Sequence, residues 1–417
     1  MWKASRDFLS KHRAKVTIAV VLGVGTALWY RYYGMDDTSM TPIALTNEAY
    51  MGHNEEKEKK LSPAKKRAKI LQQVRKQFDS YAKHFLPTLK LKIAEIVDIS
   101  NAVRKIKEIR ANTQSSDTQD VEARLWDEIK VSSLTVLFIT VYMESIVCAL
   151  LRIQLHVVAA YTIEMASCGI VDVDEIGVDL LEKLITATYS KIYDVGLKKL
   201  TQIVRDGVTR EMQDWVVREK MSVQYDDLVL KLCSLRAEFE QDTLSLINAL
   251  AISPESNDPE LLMGSSEGSE RNGSGSGNGD MKGKDAPRKK AAGAGAASFA
   301  GAERSQEVVN ELLCRTWDIV DSHVFQSIFS EAANTSFKHV NRSLREDTFG
   351  ADSPVAGAAN LYRTPPLASL LPQVKAIASR MLPSANEGLT SVVKEVSAGP
   401  ILNALCEAVY DETAGSS

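Results

Sequence analysis

The chain has 417 residues, of which 44% are hydrophobic and 25% charged, with a formal net charge of −4 at pH 7. That is the composition of a globular protein, long enough for one large domain or two ordinary ones, and so small a net charge singles out no class of partner. Cys148, Cys168, Cys233, Cys314 and Cys406 are scattered, odd in number and without CxxC spacing, which excludes a disulfide framework and suits a reducing compartment.

The N-terminus departs from this average. "MWKASRDFLSKHRAK" carries Lys3, Arg6, Lys11, Arg13 and Lys15 against one acid, Asp7. An uncharged run of 15 residues follows from Val16 to Tyr30, including Val20, Leu22 and Ala27. Trp29, Tyr30, Tyr32 and Tyr33 then form an aromatic belt around Arg31. With those flanks and a snorkelling Lys15, the run reaches about 18 residues, enough for a thin bilayer. A cleaved secretory signal is the competing reading. The long basic region and the bulky aromatics after Gly23, Gly25 and Ala27 favour a permanent anchor over 1–33.

Residues 34–60 are polar and aperiodic, and read as a linker. Ser62 followed by Pro63 is a helix start, an N-cap before a proline at the first helical position. Ile70, Leu71, Val74, Phe78, Tyr81, Ala82 and Phe85 keep a helical period up to Pro87, where a helix is expected to end. The Lys57–Lys69 cluster has two readings, a surface for anionic lipid headgroups or a solvated helix start. Leu89, Ile93, Ile96, Ile99, Val103 and Ile106 form the next stripe, and "NTQSSDTQD" from Asn112 to Asp120 reads as a loop.

The stretch "SSLTVLFITVYMESIVCALLRIQLHVVAAY", residues 132–161, is either a membrane span or the spine of a helical bundle. Its longest uncharged run is the 13 residues between Lys130 and Glu144, short of the about 20 a span needs. Glu144, Arg152, Gln154 and His156 would sit at great cost in lipid. A central bundle helix over about 131–163 is expected, with Glu144, Arg152 and Gln154 paired or hydrogen-bonded inside it.

Residues 174–218 read as one amphipathic helix, with Leu180, Leu181, Leu184, Tyr189, Ile192, Val195, Leu200, Ile203 and Val204 inward, and 222–251 as another. "SSEGSERNGSGSGNGDMKGKDAPRKKAAGAGAASFAGAE", Ser265 to Glu303, nearly lacks large hydrophobics and is expected to be disordered within an insertion over 252–305. Helices are expected over Gln306–Glu346, Leu367–Met381 and Gly388–Tyr410. No segment alternates with period two, so the fold class is all-α. An elongated bundle of long helices, 61–251 and 306–411, follows a single N-terminal transmembrane anchor, with a tail over 412–417.

Catalytic and ligand motifs do not surface. The six histidines show no metal-ligand spacing. "DVDEIGVDLLEK" opens like a calcium loop, but Ile176 and Lys183 occupy positions that need oxygen ligands. "GSGSGNGD" lacks both a preceding strand and GK[ST], and no GxSxG elbow is present. The basic N-terminus lacks the aromatic interleaving of a nucleic-acid surface. The chain reads as a non-enzyme with no cofactor, metal, nucleic acid or small-molecule substrate. An anchored helical body without chemistry is expected to dock a partner, one recurrent mode being a partner helix in an apolar groove. Trp126, in "ARLWDEIK" after a polar loop, is the candidate anchor for such a helix. It reads equally well as the start of the core stripe with Ile129.

The ordered set "FLSKHRAK", a short glycine-containing span, "LWDEIKVSSLTV", "LLRIQLHVVAAY" and "PPLASLLPQV" resembles the peroxin-3 family. The resemblance implies a single-pass factor of the peroxisomal membrane, its helical body facing the cytosol. That body receives peroxin-19, the soluble receptor for newly made peroxisomal membrane proteins, so that the partners are peroxin-19 and peroxisomal membrane lipids. It implies Lys11, Arg13 and Lys15 as a targeting cluster. For the groove it implies Trp126, Ile129, Pro366, Leu367, Ala368 and Leu370, with Val103 aligned on the preceding helix. Two family lysines are replaced here by Glu122 and Ser369, which leaves Arg104 or Arg124 as substitutes. The basic N-terminus taken alone would place the body in a lumen; the resemblance and the scattered cysteines place it in the cytosol. Two other classes remain, a membrane-anchored all-α organelle or vesicle tether and a membrane-bound enzyme without a recognisable motif.

Overall fold

A computed structural model describes residues 63–111, 116–167, 173–241, 246–247, 250, 294–350 and 364–415. The anchor residues Val16, Val20, Leu22, Ala27 and Trp29, the cluster Lys11, Arg13 and Lys15, the linker and most of the low-complexity stretch lie outside them. The described residues are mostly helical, with no strand among them.

The helices run in order α1 (Pro63–Ile96), α2 (Ser100–Ala111), α3 (Ser116–Ser167), α4 (Val173–Lys191), a π turn (Ile192–Gly196), α5 (Leu197–Glu211), α6 (Tyr225–Glu240), α7 (Ala294–Val320), α8 (His323–Ser343) with a terminal π turn (Leu344–Thr348), α9 (Leu367–Met381), α10 (Ser391–Ser397) and α11 (Pro400–Gly415). Helix α3 is the spine, packing against α1, α2, α4, α5 and α7 through α11. Its 52 residues contain neither Gly nor Pro. Its β-branched residues are poor helix formers, but burial on all sides overrides that preference.

Within the stretch from Thr118 to Thr162 an 18-residue window with a mean hydropathy of 2.2 is long and apolar enough to cross a membrane, yet that window is entirely buried inside the protein. It is therefore a core helix. Phe138 and Tyr142 meet Phe239 of α6 and Phe329 and Phe337 of α8, with ring centroids 5.3 to 6.3 Å apart. Arg152 donates to the Ser397 carbonyl and to Asn403 Oδ1 at 2.9 Å, tying α10 and α11 to the spine. Gln154 Nε2 donates to Thr188 Oγ1 at 2.8 Å. Glu144 differs from expectation: it is fully buried and neither carboxylate oxygen has a hydrogen-bond partner. Loss of hydration alone pushes its carboxyl far above the usual range, so it rests neutral rather than paired.

Several boundaries also differ. Pro87 does not end the first helix, which continues to Ile96. Leu86 and Leu89 are buried on either side of it. Hydroxyls serve the carbonyls next to it, Thr88 Oγ1 to His84 O and Tyr193 Oη to Phe85 O, both at 3.1 Å. The break falls at 97–99, where Asp98 Oδ1 accepts the Ser100 N–H at 2.8 Å and diverts the backbone. Helix α3 starts at Ser116, inside the expected loop. Residues 174–218 do not form one regular helix. The π turn adds a residue, which rotates the following face by about 100° and leaves Val195 and Ile203 each 40% exposed. The helix stops at Glu211. Helix α7 begins at Ala294, within the stretch expected to be disordered, because its run of alanines has the highest helix propensity. The expected Gln306–Glu346 helix divides at 321–322, where Ser322 caps α8. Gly388–Tyr410 divides before Pro400, which has no N–H to continue a helix. The helix that follows runs to Gly415, into the expected tail.

Candidate docking site

Four segments converge on the N-terminal end of α3: α2, the first turns of α3, the connection 212–224 between α5 and α6, and the start of α9. Lys130 holds the connection down. Its buried ammonium donates to the carbonyls of Met212 at 2.9 Å and Trp215 at 2.8 Å and pairs with Asp127 at 3.1 Å. Trp215 is buried, with the Lys220 ammonium 5.0 Å above its ring. The connection in turn holds α9. Val223 N donates to Pro365 O and Leu367 N to Lys220 O, each at 3.0 Å.

Glu122 and Trp126 lie one turn apart on the same side of α3. The indole Nε1–H donates to Glu122 Oε1 at 3.2 Å. Arg110 of α2 donates to the same oxygen from Nε at 3.0 Å and Nη2 at 2.8 Å. Arg218 of the connection reaches Glu122 Oε2 at 3.5 Å. The Arg110 guanidinium lies 5.7 Å from the Trp126 ring centroid. The Arg110 hydrogen bonds, with help from the indole, hold the Glu122 carboxyl below the usual range, so the cluster keeps its charge at neutral pH. Trp126 is half-buried and packs on the core edge. Val103 on α2, Val121 beside Glu122, and Val216 and Met221 on the connection are 38% to 70% exposed.

The residues singled out from sequence divide into surface and support. Trp126, Val103, Arg104, Pro366 and Ala368 have exposed or half-exposed side chains. Ile129, Leu367 and Leu370 are buried in the core, so they underlie the site instead of facing it. Arg104 turns to Asn101 at 3.0 Å and Glu108 at 3.8 Å, and Arg124 is exposed. The cations that gather at Glu122 beside Trp126 are Arg110 and Arg218. Neither was legible from spacing, because Arg110 comes from across a loop and Arg218 from a segment that reads as helix. Ser369 caps its own turn, Oγ donating to Pro366 O at 2.9 Å. Among the described residues no group of three or more His, Cys, Asp or Glu side chains could hold a metal ion.

A profile of the peroxin-3 family matches residues 192–412, more than half of the 417 residues. The chain belongs to the peroxin-3 family. The matched span runs from the π turn into α11 and includes the 212–224 connection and Pro366–Leu370, whereas Trp126 and Glu122 precede it. Among curated proteins no relative matches. Peroxin-3 membership places the chain among peroxisome biogenesis factors of the peroxisomal membrane, a family not known for enzymes.

Proposed function

We propose that this chain is the peroxisomal membrane docking factor for peroxin-19, and so serves insertion of peroxisomal membrane proteins. Residues 1–33 anchor it, 34–60 form a linker, and the helical body faces the cytosol. The observation that carries this reading is the half-buried Trp126, held by Glu122 and Arg110 at the end of α3 where α2, α3 and the 212–224 connection also carry exposed Val103, Val121, Val216 and Met221, on a base braced by Lys130 and by the paired 220–223 and 365–367 segments. A large amphipathic ring held on a rigid base is the type of residue that dominates helix-in-groove recognition. Burying Trp126, Val121, Val216 and Met221 under an apolar helix face would remove their exposed surface from water at about 25 cal/mol per Å².

Capture of the tagged full-length chain from detergent extract is expected to retain peroxin-19, and imaging is expected to place it on peroxisomes. Tethering subunits in place of peroxin-19 would contradict the proposal. The sequons at Asn272, Asn334 and Asn341 test orientation, since a body in the cytosol carries no N-glycan. A glycosidase-sensitive mass shift would put the body in the secretory lumen.

A further inference from the structure

We infer that Glu122 is a positioning residue of the docking site, which fixes the Trp126 ring in its receiving orientation through a clamp that Arg110 and Arg218 hold from two other segments. This rests on the docking reading above. At this position the family resemblance leads one to expect a lysine, which could neither accept the indole N–H nor pair with two arginines.

The geometry is specific. A tryptophan on a half-exposed helix face has several rotamers open to it. Here one is selected, because the indole N–H finds an acceptor one turn back, at 3.2 Å. A glutamate alone would be a poor post, being flexible itself. Its Oε1 is held by two nitrogens of Arg110, and its Oε2 faces Arg218 at 3.5 Å. The Glu122 side chain is only 19% exposed, against 60% for Arg110 and 39% for Arg218. The carboxylate is thus the enclosed centre and the guanidiniums the solvated rim. Because α2, α3 and the connection each contribute one charged group, the clamp also fixes the spacing of three site walls. A ring ordered before binding spares the partner the loss of side-chain freedom on docking, an effect on affinity of about 3- to 10-fold.

The test uses the full chain in detergent micelles, labelled with 5-fluorotryptophan, with the Trp126 line assigned by its absence in Trp126→Phe. Without any partner, Glu122→Ala is expected to shift that line towards the solvent-exposed position and average its environment. Glu122→Gln, which keeps an acceptor but loses the charge that gathers the arginines, is expected to fall between. Peroxin-19 affinity should drop about 3- to 10-fold in Glu122→Ala, and the drop should vanish in a Trp126→Ala background. Thermal unfolding monitors that each variant folds. A Trp126 line unmoved by Glu122→Ala overturns the inference, as does an affinity loss that persists undiminished without Trp126. If the line responds but the wild-type chain binds no peroxin-19, the docking reading fails and the clamp on the ring does not.

Discussion

The two ends of one helix behave differently. From Ser132 to Val158 every residue of α3 is buried, whereas from Thr118 to Val131 buried and exposed residues mix. In the middle, aromatic rings from three helices lock together and even Glu144 is sealed in without a partner. At the start, an ammonium and two guanidiniums hold the neighbouring segments, and Trp126 stays at the surface. Stability is concentrated where the helix is surrounded. The proposed docking site lies where the core thins and charged side chains take over the bracing.

That contrast can be broken by mutation. The largest effect is expected from Phe138→Ala or Tyr142→Ala, which empty the aromatic centre and should cost about 3–5 kcal/mol in unfolding free energy. Partner affinity, measured well below the melting transition, should be unchanged. Affinity loss in step with Trp126→Ala would show that the two ends of α3 are not separate.

Next comes Gly196→Ala, at the π turn. A Cβ there would lie 2.7 Å from Leu250 Cα and 2.8 Å from its carbonyl oxygen. Backbone cannot rotate away as a side chain can, so a loss of about 1–3 kcal/mol is expected in denaturant melts. An alanine accepted without cost would mean that the chain around Leu250 yields easily.

Glu144→Gln should move stability the other way, by about 1–2 kcal/mol at neutral pH, since the folded chain must bind a proton to bury this carboxyl neutral, a cost the amide does not carry. The pH dependence supplies the sign. The folded-state value is raised, so the folded chain keeps a proton that the unfolded chain releases above about pH 4.3. The wild type therefore loses stability as pH rises through the region above that value, and the glutamine variant should lose less. Parallel pH profiles for the two proteins would show that Glu144 is solvated or paired after all.

The smallest effect on the fold is expected from Trp126→Ala, whose half-exposed ring packs on the edge of the core and not inside it; a change below about 1 kcal/mol is expected in the same melts.

Much of the fold was legible from periodicity. The helix Leu367–Met381 lies at the residues its stripe of leucines and valines indicates, and the central stretch is the buried spine that its interspersed Glu, Arg and Gln imply. What stayed hidden depends on tertiary partners. Pro87 sits inside a helix because packing on both sides outweighs one missing hydrogen bond. The connection 212–224 carries Trp215, Val216 and Val217 among charges, a pattern that reads as amphipathic helix. It is instead an irregular loop stapled by Lys130 and matched to 365–367. Trp126 was recognisable as a candidate by type and place. The Glu122 clamp was not, since its members come from three segments that only the fold brings together.

Titrating purified peroxin-19 into the wild-type chain and into Trp126→Ala, with thermal unfolding recorded on both, tests the docking role most directly. The substitution is expected to weaken binding by about 2–4 kcal/mol, roughly 30- to 1,000-fold in dissociation constant, with melting nearly unchanged. Early melting with binding intact at low temperature would make Trp126 a core residue and contradict a docking site at the start of α3.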